Sequence, residues 1–333
     1  MADGKRVRRR EPRRPRTGAI RRVLRALGTV AVVAVLAAVA VVAWDWWDQS
    51  ERAPGVGEGP RRDSRTLMAA ACRHDLTKTT GPAITEPLVT EASGVAPVRA
   101  VDGRPARTWL INDSGNAPRL YGVDGDGEVQ VVDVTGAESV DWEDLAVAGD
   151  HLWIADTGAN ASNRDAVQLY RVPIPGPGDT QVAAVRTDVT YPEATPDVEA
   201  VAVAPDGTAH LLTKELGRSR IFRVDVPDGG GAAEARQAGE MRTAPGPLGL
   251  VTGAALAPDG GSVLVRTYAG AWIYPVEEGT EVPAALAASG RRCRIRRGAE
   301  VQGEAIGYQP GGRGYVTIGE GANPRLSSYR ARD

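Results

Sequence analysis

Two kinds of hydrophobic pattern divide the chain. From Ala26 to Trp44 no residue is charged, and the run is mostly Ala, Val and Leu. At about 1.5 Å per residue such a helix is about 28 Å long, close to the thickness of a bilayer core. Trp44, Trp46 and Trp47 follow, interleaved with Asp45 and Asp48, as at a membrane–water interface. Further along the pattern changes to short alternating stretches (RTWLIND, HLWIADT, AHLLTKE, SVLVRTY, GYVTIGE) separated by turns rich in Gly, Pro and Asp. That is the pattern of strands in hairpins. Helical periodicity is nearly absent there.

The alternating stretches belong to a repeat with a period near 53 residues. Five segments open alike: Glu91-Ala-Ser-Gly-Val, Glu143-Asp-Leu-Ala-Val, Glu199-Ala-Val-Ala-Val, Thr252-Gly-Ala-Ala-Leu and Glu304-Ala-Ile-Gly-Tyr, spaced by 52, 56, 53 and 52. A second ladder of aromatics, Tyr121, Tyr170, Phe222, Tyr274 and Tyr329, is spaced by 49, 52, 52 and 55. Pro205, Pro258 and Pro310 each fall six residues after an opening position. Each unit reads as four short strands, and four-stranded units repeated around an axis make an all-β propeller. Five blades are predicted. Six is the alternative, but it needs a further unit between 49 and 85, where no opening signature stands.

The fifth unit ends after its third strand, so its outer strand is expected from the N-terminal side, around Leu76 to Ile84. That closure puts Cys72 beside the outer strand of the last blade and Cys293 in the outer strand of the blade before it. A Cys72–Cys293 disulfide follows as an expectation, these being the two cysteines of the chain.

Charge sets the topology. Residues 1–25 carry eleven Lys and Arg against Asp3 and Glu11, a net +9, which leaves −11 for the remainder of a chain whose total is −2. A basic flank before an apolar span is retained in the cytoplasm. The expected organisation is therefore a basic cytoplasmic segment (1–25), a single transmembrane helix (26–47), a linker (48–66) and an extracytoplasmic propeller (67–333), held at the cell membrane by that helix. A cleaved signal peptide is the competing reading, since Ala38-Val39-Ala40 and Val41-Val42-Ala43 end in small residues. The acidic propeller argues against a nucleic-acid partner.

In a propeller the start of each innermost strand and the end of each second strand share one mouth of the channel. This gathers Glu91, Glu143, Glu199 and Glu304 with Asn112, Asp113, Asp156, Lys214 and Arg266. Crowded carboxylates repel unless some are protonated or a cation lies among them. Glu91, Asp113, Glu143, Asp156, Glu199 and Glu304 are thus candidate ligands for a hard ion such as Ca²⁺. Asn112, Lys214 and Arg266 are candidate contacts to a bound small molecule or protein ligand. The plainer alternative is that each Glu ties its blade to the next. His74, His151 and His210 are dispersed, and no serine-hydrolase, zinc or P-loop motif occurs.

The segments NDSGNAPRLY (112–121), DWEDLAV (141–147), ADTGAN (155–160), LYRVP (169–173) and DVEAVAV (197–203) resemble uncharacterised bacterial secreted and membrane-anchored propellers grouped with phytase-like or esterase-like proteins. The resemblance spans roughly 85–330. It implies the propeller fold, a secreted setting and, more remotely, calcium-dependent phosphoester chemistry. The expected function is a membrane-anchored binding or scaffold propeller with an acidic, cation-binding mouth. The alternative is a calcium-dependent hydrolase of phosphoester, ester or lactone substrates.

Overall fold

The repeat units become five antiparallel sheets in the computed structural model, which describes residues 63–101, 103–159, 164–300 and 302–332. Blade 1 runs outward through β2 (Ala92–Val98), β3 (Arg107–Asn112), β4 (Arg119–Val123) and β5 (Val129–Thr135). Blade 2 holds β6 (Trp142–Ala148), β7 (His151–Asp156), β8 (Val167–Pro173) and β10 (Val185–Thr190). Blade 3 holds β11 (Val198–Val203), β12 (Thr208–Thr213), β13 (Arg218–Asp225) and β15 (Arg236–Arg242). Blade 4 holds β16 (Val251–Leu256), β17 (Ser262–Thr267), β18 (Ala271–Pro275) and β19 (Cys293–Ile295). In blade 5, β20 (Gly303–Tyr308), β21 (Gly314–Gly319) and β22 (Arg325–Ala331) are completed by β1 (Leu76–Ala83). The five-bladed expectation is met, and so is the closing strand: Leu76 pairs with Ala331 and Lys78 with Tyr329.

Burial explains why the two strand patterns differ. Every residue of β2, β11 and β20 is buried, because each inner strand is covered on both faces by neighbouring blades. Strands farther from the axis, such as β5 and β22, keep a wet side and alternate. Near the axis the strands converge and only small residues fit. A Cβ on Gly94 would lie 2.5 Å from the Leu145 nitrogen, and one on Gly253 2.6 Å from the Glu304 carbonyl oxygen. The aromatic ladder fills the wider space farther out, where Tyr121, Tyr170, Phe222, Tyr274 and Tyr329 are all buried between blades.

Two features are not visible in the repeat. The connection leaving β8 first adds β9 (Gln181–Ala183) in parallel to the edge of blade 1. The connection leaving β13 likewise adds β14 (Gly231–Glu234) to the edge of blade 2. Blades 2 and 3 thus each cap their predecessor's open edge, which would otherwise be free to pair with another chain. A short helix, α1 (Asp63–Cys72), precedes β1, so the domain begins inside the segment expected to be linker. Its Leu67, Met68, Ala70 and Ala71 pack with Ile295 and Tyr329 over blades 4 and 5. A second helix, α2 (Val282–Ala287), lies between β18 and β19.

The Cys72–Cys293 bridge is present, with Cα atoms 5.2 Å apart. It ties the end of α1 to the start of β19 and so reinforces ring closure. Among the described residues no helix is long and apolar enough to cross a membrane. The basic segment, the expected span at 26–47 and linker residues 48–62 lie outside those described.

Candidate functional site

Each inner strand enters its blade through a β-bulge at the same place. One extra residue is inserted against the second strand at Ser93, Glu143, Glu199, Thr252 and Glu304. The bulge breaks the alternation and re-aims that side chain. It also corrects the reading of blade 1, where the position equivalent to Glu143 is Ser93. Glu91 instead matches Asp141, Asp197 and Gln302, whose carbonyls accept from the backbone nitrogens of Thr157, Lys214 and Glu320, as Glu91 accepts from Asp113. The two-residue offset arose because blade 1 carries an acid two places before its bulge and none at it. Ser93 and Thr252 donate their hydroxyls to the Glu143 and Gly303 carbonyls of the next blades, so these positions stitch the ring.

The other bulge residues meet at one mouth. Asp113, Asp141 and Glu143 place carboxylate oxygens within 4.8 Å of one another; so do Asp113, Glu304 and Glu320, and so do Glu143, Asp197 and Glu199. Shared members join the three groups into one arc of seven carboxylates across blades 1, 2, 3 and 5. Lys214 Nζ donates to Glu199 Oε1 at 2.5 Å and sits 5.6 Å from the Tyr268 ring centre. Burial opposes the Lys214 charge, but Glu199 and Tyr268 outweigh it and raise the ammonium above its ordinary value. Glu304 Oε1 accepts from Gln302 Nε2 at 3.0 Å and from the Tyr268 hydroxyl at 3.4 Å.

Glu143 is the most constrained of the seven. It is 1% exposed, and its Oε1 has no hydrogen-bond partner. Burial, then the charges of Glu199, Asp113 and Asp141, push its carboxyl far above the ordinary range, with Lys214 pulling the other way. Asp113 is raised by burial and by Glu304 and Asp141, against a hydrogen bond from the Ser114 amide. Glu320 is pushed up to about 8 by burial and then by Glu304. Gly158 lies directly over Glu143 and Asp141, where a Cβ would overlap both carboxylates.

Several expected contacts lie elsewhere. Asp156 is fully buried; its Oδ1 accepts from the Asp141 amide and from Arg164 Nη1, both at 2.9 Å, and its Oδ2 from the Val140 amide at 3.3 Å, so both oxygens are engaged. Asn112 is buried and donates to the Leu88 carbonyl at 2.6 Å, pinning the loop before β2. Glu91 is exposed and takes a bond from Asn116 at 2.9 Å, outside the three acidic groups. Arg266 is not at the mouth. It is 0% exposed between blades 4 and 5, held by the Ala305 carbonyl at 2.8 Å and by Glu300 at 2.5 Å. The even-numbered side of β17 turns it inward, and Glu300 supplies the counter-charge.

Asp144 escaped the sequence reading. Its equivalents are Gly94, Ala200, Gly253 and Ala305, so an acid stands here in a row of the smallest residues. Asp144 Oδ2 accepts the Val201 amide of blade 3 at 2.9 Å and the Ala254 amide of blade 4 at 3.1 Å; Oδ1 accepts Leu145 at 2.8 Å. One side chain on the axis therefore joins the inner strands of three blades. Burial pushes its carboxyl up to about 7 against the pull of those three amides.

No protein-family model and no curated protein matches the chain. Among solved structures, a gluconolactonase from Xanthomonas campestris aligns over 79% of this chain and 92% of its own, at 15% identity and TM-score 0.43. A glutaminyl cyclase from Myxococcus xanthus aligns over 78% and 97%, at 12% and 0.43. An auxiliary nutrient binding protein from Bacteroides thetaiotaomicron aligns over 77% and 76%, at 10% and 0.44. Likeness at this level carries no activity to this chain, and the phytase-like side of the resemblance finds no counterpart in these three.

Proposed function

We propose that the carboxylate mouth holds a divalent cation of the calcium type, and that the propeller uses this centre to bind an oxygen-bearing ligand outside the membrane to which its N-terminal helix anchors it. The observation that carries this reading is the Asp113–Asp141–Glu143 group with its buried, unpartnered Glu143 oxygen. Two unit charges 4 Å apart cost about 1 kcal/mol even in bulk water and several-fold more near a protein surface. Lys214 already serves the Glu199 side of the arc, and Gln302 and Tyr268 serve Glu304. The middle group packs three carboxylates together at Glu143, whose Oε1 accepts no hydrogen bond among the described residues. Its donors are carboxylate oxygens without histidine or cysteine, the donor set of Ca²⁺ or Mg²⁺ rather than of zinc or copper.

Calorimetric titration of Ca²⁺ into chelator-stripped protein tests this. Saturable binding is expected, with Glu143→Gln weakening it about tenfold or more and leaving the fold intact by circular dichroism. Equal affinity in that variant, or no binding heat and no change in melting temperature between calcium and chelator, rules the site out.

A second reading, metal-assisted hydrolysis of an ester, lactone or phosphoester, is favoured by Lys214 and Tyr268 standing together at the edge of the carboxylates. An ammonium and a phenol there would orient an anionic or carbonyl-bearing substrate, while a bound cation would polarise the scissile group. Calcium-dependent turnover of model esters that is lost in Lys214→Met separates this reading from binding alone.

A further inference from the structure

The other end of the channel is a different surface. As the inner strands leave the carboxylate mouth they diverge around a cavity of about 610 Å³, bounded by residues from all five blades. Pro205, Pro258 and Pro310, the three prolines of the repeat, stand around it, and Ile174 and Leu256 supply further apolar wall. Two cations face into it from the turn between β2 and β3, Arg99 and Arg104. Val101 and Arg104 exchange backbone hydrogen bonds of 3.0 and 2.6 Å. Arg104 Nη1 reaches the Ile174 carbonyl at 3.4 Å, while its Nε is buried without a partner. Among the described residues neither arginine makes an ion pair with a carboxylate. Asp150, on the rim, is turned to His151 Nδ1 at 2.6 Å.

An open concave volume of this size, with apolar wall and a few polar groups to set orientation, matches a small-molecule site. Arg99 and Arg104 are the lining groups suited to an anionic oxygen, since a guanidinium offers charge-assisted donors. We propose that this funnel binds a small amphipathic anion, its apolar body among the prolines and Leu256 and its acidic head on Arg99 and Arg104. The site lies at the opposite end of the inner strands from Glu143 and does not depend on a cation there.

Equilibrium dialysis of the full chain against decanoate, decanol and decyltrimethylammonium is the test. Decanoate is expected to saturate at one per chain, and the neutral and cationic analogues to bind about tenfold more weakly or less. The Arg99→Gln/Arg104→Gln variant should bring decanoate to the level of decanol, and Ala148→Trp, placed on the funnel wall, should abolish saturation for both. Calcium and chelator should leave these results unchanged, which separates this site from the carboxylate mouth. Three outcomes overturn the proposal: equal binding of all three amphiphiles, decanoate binding that survives the double arginine variant, or arginine-dependent capture of anionic phospholipid vesicles without uptake of monomeric decanoate.

Discussion

Replacing Asp144 with alanine sets two opposing energies against each other, and pH decides between them. The substitution leaves the buried amides of Leu145, Val201 and Ala254 without their acceptor. Each unpaired amide costs about 1–3 kcal/mol, and in the lower half of that range the three together cost roughly 4 kcal/mol. It also removes a carboxyl that burial raises from the ordinary 3.8 to about 7. For an acid raised in this way the native state holds the proton more tightly than the unfolded chain. The associated stability is complete below about 3.8 and is lost as pH rises towards about 7. Ionisation then costs the native protein roughly 1.5 kcal/mol at about pH 5 and roughly 4 kcal/mol at about pH 9. The alanine variant should accordingly be less stable than the parent by roughly 2–3 kcal/mol at the lower pH and nearly equal to it at the higher. Urea unfolding in chelator, followed by the buried Trp109, Trp142 and Trp153, measures both values. A deficit that stays constant across the window would mean that the three amides keep Asp144 ionised throughout, and the burial argument would fail.

The Cys72–Cys293 bridge closes a sequence separation of 221, for which chain entropy gives about 5 kcal/mol; Cys72→Ser/Cys293→Ser should lower the unfolding free energy by up to that amount, read from the denaturant midpoint together with a steeper slope, because the unfolded chain is less constrained. Arg266→Met strands Glu300 inside the protein and should cost about 3–5 kcal/mol in unfolding free energy, largely restored by adding Glu300→Gln; recovery should fail if Arg266 acts through its carbonyl contacts alone. Gly158→Ala drives a methyl into Glu143 and Asp141; calcium heat should disappear in calorimetry while the melting temperature in chelator moves by only a few degrees.

Most of the architecture was legible from the chain because a propeller is a repeat. The spacing of Glu143, Glu199, Thr252 and Glu304 counts blades directly, and the unit that ends at Tyr329 without an outer strand demands β1 to complete it. The disulfide followed from that closure rather than from the cysteines themselves. The pattern also located the acidic mouth, since residues at equal phase in a repeat must lie at equal height around an axis.

What the chain alone did not determine was the direction of individual side chains. A bulge adds one residue to a strand and reverses which side chain faces the axis, and its position depends on hydrogen bonds to the neighbouring strand. Glu91 therefore read as a ring member when Ser93 holds that place. Arg266 read as a mouth cation when β17 turns it between blades towards Glu300. The exchange strands β9 and β14 are too short to signal in sequence and exist because a neighbouring edge accepts them. Asp144 is the clearest case. Only the approach of three inner strands to within hydrogen-bond distance of one carboxylate makes it the centre of the ring, and that approach is a property of the closed structure.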